Sequence, residues 1–211
     1  MRNLIFPSLV MLGMTTGLLL GHARAQEPPK PKIPPVVVET PAKVITPRAT
    51  DVSSVDNILA ALYDVISGPA GKARDWDRMR SLFIPGARLM PTSPVRPPGT
   101  KPGTPLTGSE DYATHVFDVE GYIERSSPFF ATEGFYEKEV ARHSETYGHI
   151  VHAWSTYESR HKPEDATPFA RGINSIQLMF DGKRWWVVGI LWEGETPKTP
   201  LPAQYLSGGQ K

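Results

Sequence analysis

Apolar positions between residues 53 and 83 recur at helical spacing. Ser53-Ser54-Val55-Asp56 reads as a capping box, and Val55, Ile58, Leu59, Leu62 and Ile66 follow it on one stripe that Gly68-Pro69 ends. A second, shorter helix is predicted from Asp75 to Phe83, apolar at 76, 79, 82 and 83 and stopped by Pro85-Gly86. Ala87 to Met90 predicts a short strand, and Tyr112 to Phe117 another. Between them, Pro91 to Gly108 carries six Pro and three Gly, too many for any regular element, so a long loop is expected. Asp118 then caps a third helix with Val119, Tyr122, Ile123, Ser126 and Phe130 along one side.

After Gly134 the period changes from 3.6 to 2. Phe135 to Thr146, His149 to Arg160, Phe169 to Phe180 and Arg184 to Trp192 read as four strands, the last two joined by the tight-turn pair Asp181-Gly182. Helices first and a meander afterwards predict an α+β domain, a curved antiparallel sheet wrapped around three N-terminal helices. Alternation sorts the faces. If Ile176, Leu178 and Phe180 face the helices, so do Asn174 and Gly172, while Arg171, Ser175 and Gln177 face away. Ile150, His152, Trp154, Thr156 and Glu158 share one side of their strand, and Trp186, Val188, Ile190 and Trp192 share one side of theirs.

The ends of the chain have a different texture. A basic start, an apolar stretch from Leu4 to Leu20 and Ala23-Arg24-Ala25 predict a signal peptide over 1–25, cleaved before Gln26. Residues 26–51 are Pro-rich and read as a spacer, 52–195 as the folded domain, and 196–211 as a Pro-rich tail, extended and partly loose. The mature protein is expected to be secreted or periplasmic and free of the membrane.

Charge excludes more than it suggests. With 23 Lys and Arg against 22 Asp and Glu, nothing points to nucleic acid, whose backbone asks for a basic face. The absence of Cys removes disulfides, thiolate metal sites and Cys nucleophiles. His143, His149, His152 and His161 are plentiful, but 149 and 152 have opposite parity on one strand, so no metal is expected. Gly68-Pro69-Ala70-Gly71-Lys72 lacks the spacing of a phosphate loop, and no cofactor is expected.

The order of elements, with Leu82-Phe83-Ile84-Pro85-Gly86-Ala87-Arg88-Leu89 closing the second helix, resembles the nuclear-transport-factor-2-like superfamily of ketosteroid isomerases and SnoaL-like cyclases. Ser155 to Ser159, with Phe169 to Leu178, looks like an uncharacterised secreted bacterial branch of that group. The resemblance covers about residues 52–195 and implies a cone with an apolar pocket at its open end. It also implies site positions. Tyr63 matches the isomerase tyrosine of the first helix, but the two aspartate positions fall on or near Pro91 and on Ile176, which can neither move a proton nor donate a side-chain hydrogen bond. That departure speaks against steroid-type isomerisation.

A pocket of His152, Asn174, Trp192, Tyr63 and Trp154 would be apolar with a few convergent polar groups, as small-molecule sites are. His152 is the candidate base, and Tyr63 a second candidate; each also reads as a residue whose polar atoms are satisfied by neighbours. Glu158 and Arg171 are expected to pair across one turn, and Glu137, Lys138, Glu139 and Arg142 to form a solvated or cross-strand charge ladder. Ile173, Ser175, Gln177, Met179 and Trp185 would form an outer face suited to a symmetric homodimer, and the 91–108 loop is long enough to be a lid. The expected function is binding of a small apolar or aromatic molecule. The alternatives are a SnoaL-like isomerase, cyclase or dehydratase using a pocket base, and an assembly module without ligand.

Overall fold

The structure is a computed structural model, described here for residues 45–100 and 107–206. The signal-peptide and most of the spacer expectations, and part of the proposed lid, lie outside these residues. Among the described residues no helix is long and apolar enough to cross a membrane. A 3-10 turn at Ala49–Val52 leads into α1 (Val55–Ile66), α2 (Trp76–Leu82), β1 (Phe83–Pro94), β2 (Tyr112–Thr114), α3 (Val119–Thr132), β3 (Tyr136–Tyr147), β4 (Ile150–Arg160), β5 (Ala170–Phe180) and β6 (Trp185–Gly194).

Local chemistry sets the helix ends. Ser54, not a reciprocal box, caps α1 by accepting from the Asn57 N–H at 3.1 Å, and Asp118 caps α3 by accepting from Gly121 at 2.7 Å. The far end of α1 is held by Arg74. Its guanidinium donates to the carbonyls of Ile66, Gly68, Pro69 and Lys72 at 2.7–3.2 Å and lies over the Phe130 ring. The predicted α1 stripe is buried from Ile58 to Ile66 and packs with Met79, Leu82 and Phe130 against Val151, Ala153, Ile176, Leu178 and Val187 of the sheet.

The six strands lie in the order β2-β1-β6-β5-β4-β3. The fold class is as expected, α+β with helices against a curved sheet, but the sheet is mixed rather than antiparallel. β1 and β6 run parallel. The meander reverses direction three times between β3 and β6, and α3 carries the chain from the edge strand β2 across the sheet to start β3 in the sense opposite to β1, so β6 returns alongside β1 pointing the same way. β1 is also longer than Ala87 to Met90. Pro85-Gly86 does not end regular structure; with Gly86 at φ 84° it makes an irregularity inside the strand, where the register jumps between Phe83 and Arg88.

Two further bulges decide which residues face the helices. On β6, Gly189 pairs with Gln177 and Val187 with Leu178, so Val188 is the extra residue and parity flips there. Val187, Ile190 and Trp192 therefore face inward with Trp185, which packs against the core, while Val188 and Leu191 are exposed. The expected grouping of Trp186 and Val188 with Ile190 and Trp192 fails for this reason. Trp186 takes the outer place assigned to Trp185, with its Nε1 donating to Asp181 at 2.7 Å and the Arg184 guanidinium over its ring. On β3, Val140 is extra between Glu139 and Ala141.

The tail is ordered as far as it is described. Thr156 Oγ1 donates to the Tyr205 carbonyl at 2.6 Å, and the Tyr205 ring stacks on Trp154.

Candidate functional site

A cavity of about 220 Å³ lies between the helices and the concave sheet face. Its apolar wall includes Leu62 and Ile66 of α1, Leu89 of β1, Ile190 and Trp192 of β6, and Phe135 and Phe169. Tyr122 of α3 meets Trp192 edge-on, with ring centroids 6.3 Å apart. Phe169, 46 % exposed, marks where the cavity meets solvent.

The polar groups converge at one end. Strand pairing sets Ser155 opposite Asn174, Tyr157 opposite Gly172, and Glu137 and Glu139 opposite Ser159 and Tyr157. Directly opposite residues share a face, so all of these look toward the helices. Asn174 Nδ2 donates to the Tyr63 hydroxyl at 3.0 Å, and Tyr63 and Ser155 hydroxyls are 2.6 Å apart. Ser155 donates its one hydrogen to Glu139 Oε1 at 2.6 Å, where Arg142 holds the carboxylate at both oxygens. The direction of the chain follows: Asn174 gives to Tyr63, Tyr63 to Ser155, and Ser155 to Glu139. The Tyr63 hydroxyl hydrogen is committed to this chain, and burial pushes its pKa well above the usual tyrosine value.

Glu137 is the group that the sequence reading missed. Its sequence neighbours suggest a charge ladder, yet it lines the cavity and accepts from the Ser159 hydroxyl at 2.8 Å, on a residue 1 % exposed. Burial pushes its carboxyl up to about 7, against the smaller opposing effects of hydrogen bonds from Ser159 and Asn174. A second, polar groove of about 550 Å³ between α1 and β3 also touches Tyr63 and Glu137, with Lys138, Arg142 and Arg160 on its walls. Glu137 thus stands between an apolar cavity and a polar groove. A carboxyl that titrates near neutrality in such a place can exchange a proton with water on one side and meet a ligand on the other.

The other expected residues divide. Tyr63, Asn174 and Trp192 are brought together at the cavity. His152 and Trp154 are not. Asn174 pairs with Ser155, so the odd-numbered residues of β4 face inward, and His152 and Trp154 lie on the convex face. There His152 Nε2 is 2.9 Å from Ser175 Oγ, and Trp154 lies under the tail. Pro91 and Ile176, at the positions matched to the isomerase aspartates, are buried and line neither space. Glu158 and Arg171 are cross-strand partners in register but pair elsewhere, Glu158 with Arg160 at 2.8 Å and Arg171 with Glu195 at 2.7 Å. Among the described residues no cluster of three His, Asp or Glu could hold a metal ion.

This chain is similar to NTF2-like proteins of known structure. One, of unknown function, comes from Methylobacillus flagellatus KT, with 11% identity and a TM-score of 0.39 over 68% of this chain and 95% of that one. Another, also of unknown function, comes from Shewanella baltica, with 12% identity and a TM-score of 0.36 over 67% of this chain and 97% of the other. No family model and no curated protein matches the chain.

Proposed function

We propose that the protein is exported and binds a small, largely apolar molecule in the cone, its polar end at Asn174 and Glu137. The observation that carries this reading is the open space itself: about 220 Å³ bounded by aliphatic and aromatic side chains, with the polar groups gathered at one end. That volume is below the usual range for drug-sized ligands but above the roughly 150 Å³ that holds benzene, so the ligand is about one ring in size. An open cone also disfavours the reading in which the domain only mediates assembly.

The test is native mass spectrometry of exported protein, with N-terminal sequencing of the same sample. A non-covalent small-molecule adduct and an N-terminus at Gln26 are expected. Ala170→Trp should remove the adduct while leaving the protein folded, because Ala170 is a half-buried lining residue. An adduct that survives this plug, or a chain exported without any, refutes binding in the cone.

A second reading has its own support. The neutral-range carboxyl of Glu137 suits a general acid or base, so an enzyme of the SnoaL type would use Glu137 in place of His152. Glu137→Gln should then keep ligand affinity and abolish turnover of the adduct compound; retained turnover excludes this role.

A further inference from the structure

Three tyrosines line the cavity, Tyr63, Tyr122 and Tyr157, and the first and last, on α1 and β4, differ in one respect. Tyr63 has spent its hydroxyl hydrogen on Ser155. Tyr157, only 7 % exposed, lines the same cavity, and among the described residues its hydroxyl has no hydrogen-bond partner. The hydroxyl is not sealed into the core but opens on the cavity, where water or a polar group of a ligand can complete it. The strand opposite is cut away to receive this group. A Cβ placed on Gly172 would stand 2.5 Å from the Tyr157 hydroxyl oxygen and 2.2 Å from the Glu193 carbonyl. Glu137 lies on the same face, diagonal to Tyr157 across β3 and β4, and close enough to raise its pKa electrostatically.

We infer that the Tyr157 hydroxyl and the Glu137 carboxyl form a two-point subsite for a hydroxyl group carried on a single-ring apolar molecule. The inference rests on the small-molecule reading above and deepens it by naming the ligand's polar group. Tyr157 can give a hydrogen bond, and Glu137 can accept one when ionised or give one when protonated. A ligand hydroxyl, with one hydrogen and two lone pairs, satisfies Tyr157 and Glu137 in either state. A ketone oxygen only accepts, so it leaves the ionised carboxylate without a donor. A ligand carboxylate would set a second negative charge beside Glu137 in an apolar space. Single-ring alcohols and phenols are therefore the class favoured over ketones and acids.

The experiment uses two probes of nearly equal shape, toluene and 4-methylphenol, titrated into the purified protein by calorimetry, with total tryptophan fluorescence as a second readout. The phenol is expected to bind about ten-fold more tightly, as a buried hydrogen bond of typical strength requires. Tyr157→Phe should bring the two affinities to within about three-fold while leaving toluene binding and the melting temperature unchanged. Equal affinities in the natural protein, or a phenol preference that survives Tyr157→Phe, would overturn the subsite yet leave the apolar cavity standing. A melting temperature that falls in Tyr157→Phe would show that the hydroxyl serves the fold, which also overturns it. If neither probe binds, the small-molecule reading falls and the subsite with it.

Discussion

The hydroxyl of Tyr63 gives its hydrogen to Ser155, 2.6 Å away, and so turns it out of the cavity that its own ring lines. The bond joins helix α1 to strand β4 and continues through Glu139 to Arg142, which reaches back to Asp56 at the start of α1 at 2.6 Å. The helix is thereby clasped to the sheet at both ends of a polar chain. Tyr63 is a structural member here.

Tyr63→Phe should destabilise the fold by about 1–3 kcal/mol, because Asn174 Nδ2 loses its buried acceptor and Ser155 its donor. Urea unfolding measures this. A change under about 0.5 kcal/mol would show that the chain is not holding the helix.

Glu137 makes stability depend on pH in a stated direction. Its folded pKa is raised from 4.5 to about 7, so the folded state binds the proton more tightly than the unfolded chain does. The contribution is present in full below about 4.5 and is lost as pH rises through about 7. Up to about 3 kcal/mol separates the two limits. Glu137→Gln should remove this slope, so that variant and natural protein match near pH 5 and the variant is the more stable at pH 8. Parallel stability curves between pH 4.5 and 8 would contradict the burial of this carboxyl.

Gly172→Ala should cost about 1–3 kcal/mol, since its Cβ would meet the Glu193 carbonyl and the Tyr157 hydroxyl well inside contact distance. Combining it with Tyr157→Phe should recover only part of the loss, because the carbonyl remains. Full recovery in thermal unfolding would place the whole conflict on the tyrosine.

The convex face presents Ile150, Val188 and Leu191, each more than a third exposed. A symmetric homodimer through this face is the expected assembly, with Trp186 rather than Trp185 at its surface. Light scattering at micromolar concentration should return twice the chain mass, and Leu191→Lys should halve it. A single chain in the natural protein rejects the interface.

Periodicity alone determined the α1 stripe, the third helix with its Asp118 cap and the four-strand meander, and it grouped Asn174 with Ile176 and Leu178 on one face of β5, whereas Trp192 was legible as a cavity residue only through the resemblance. These are local properties: 3.6 residues per turn or two per pleat is written into neighbouring positions. Alternation, however, only sorts a strand into two sets; it does not say which set faces the helices. On β4 that choice was made by register, since Asn174 pairs with Ser155, and it sent His152 outward and Tyr157 inward. The signal available in the sequence was the match of a large Tyr157 to a small Gly172. Parity also fails wherever a bulge adds a residue, as at Val140 and Val188, and nothing in those valines announces one. Glu137 shows the limit most clearly. In the run Glu137-Lys138-Glu139 it is one charge among three, and only the opposition of β3 to Ser159, with α1 laid over both, takes its carboxyl out of water and raises its pKa toward neutrality. Desolvation belongs to the surroundings of a group, and surroundings are assembled only in the folded chain.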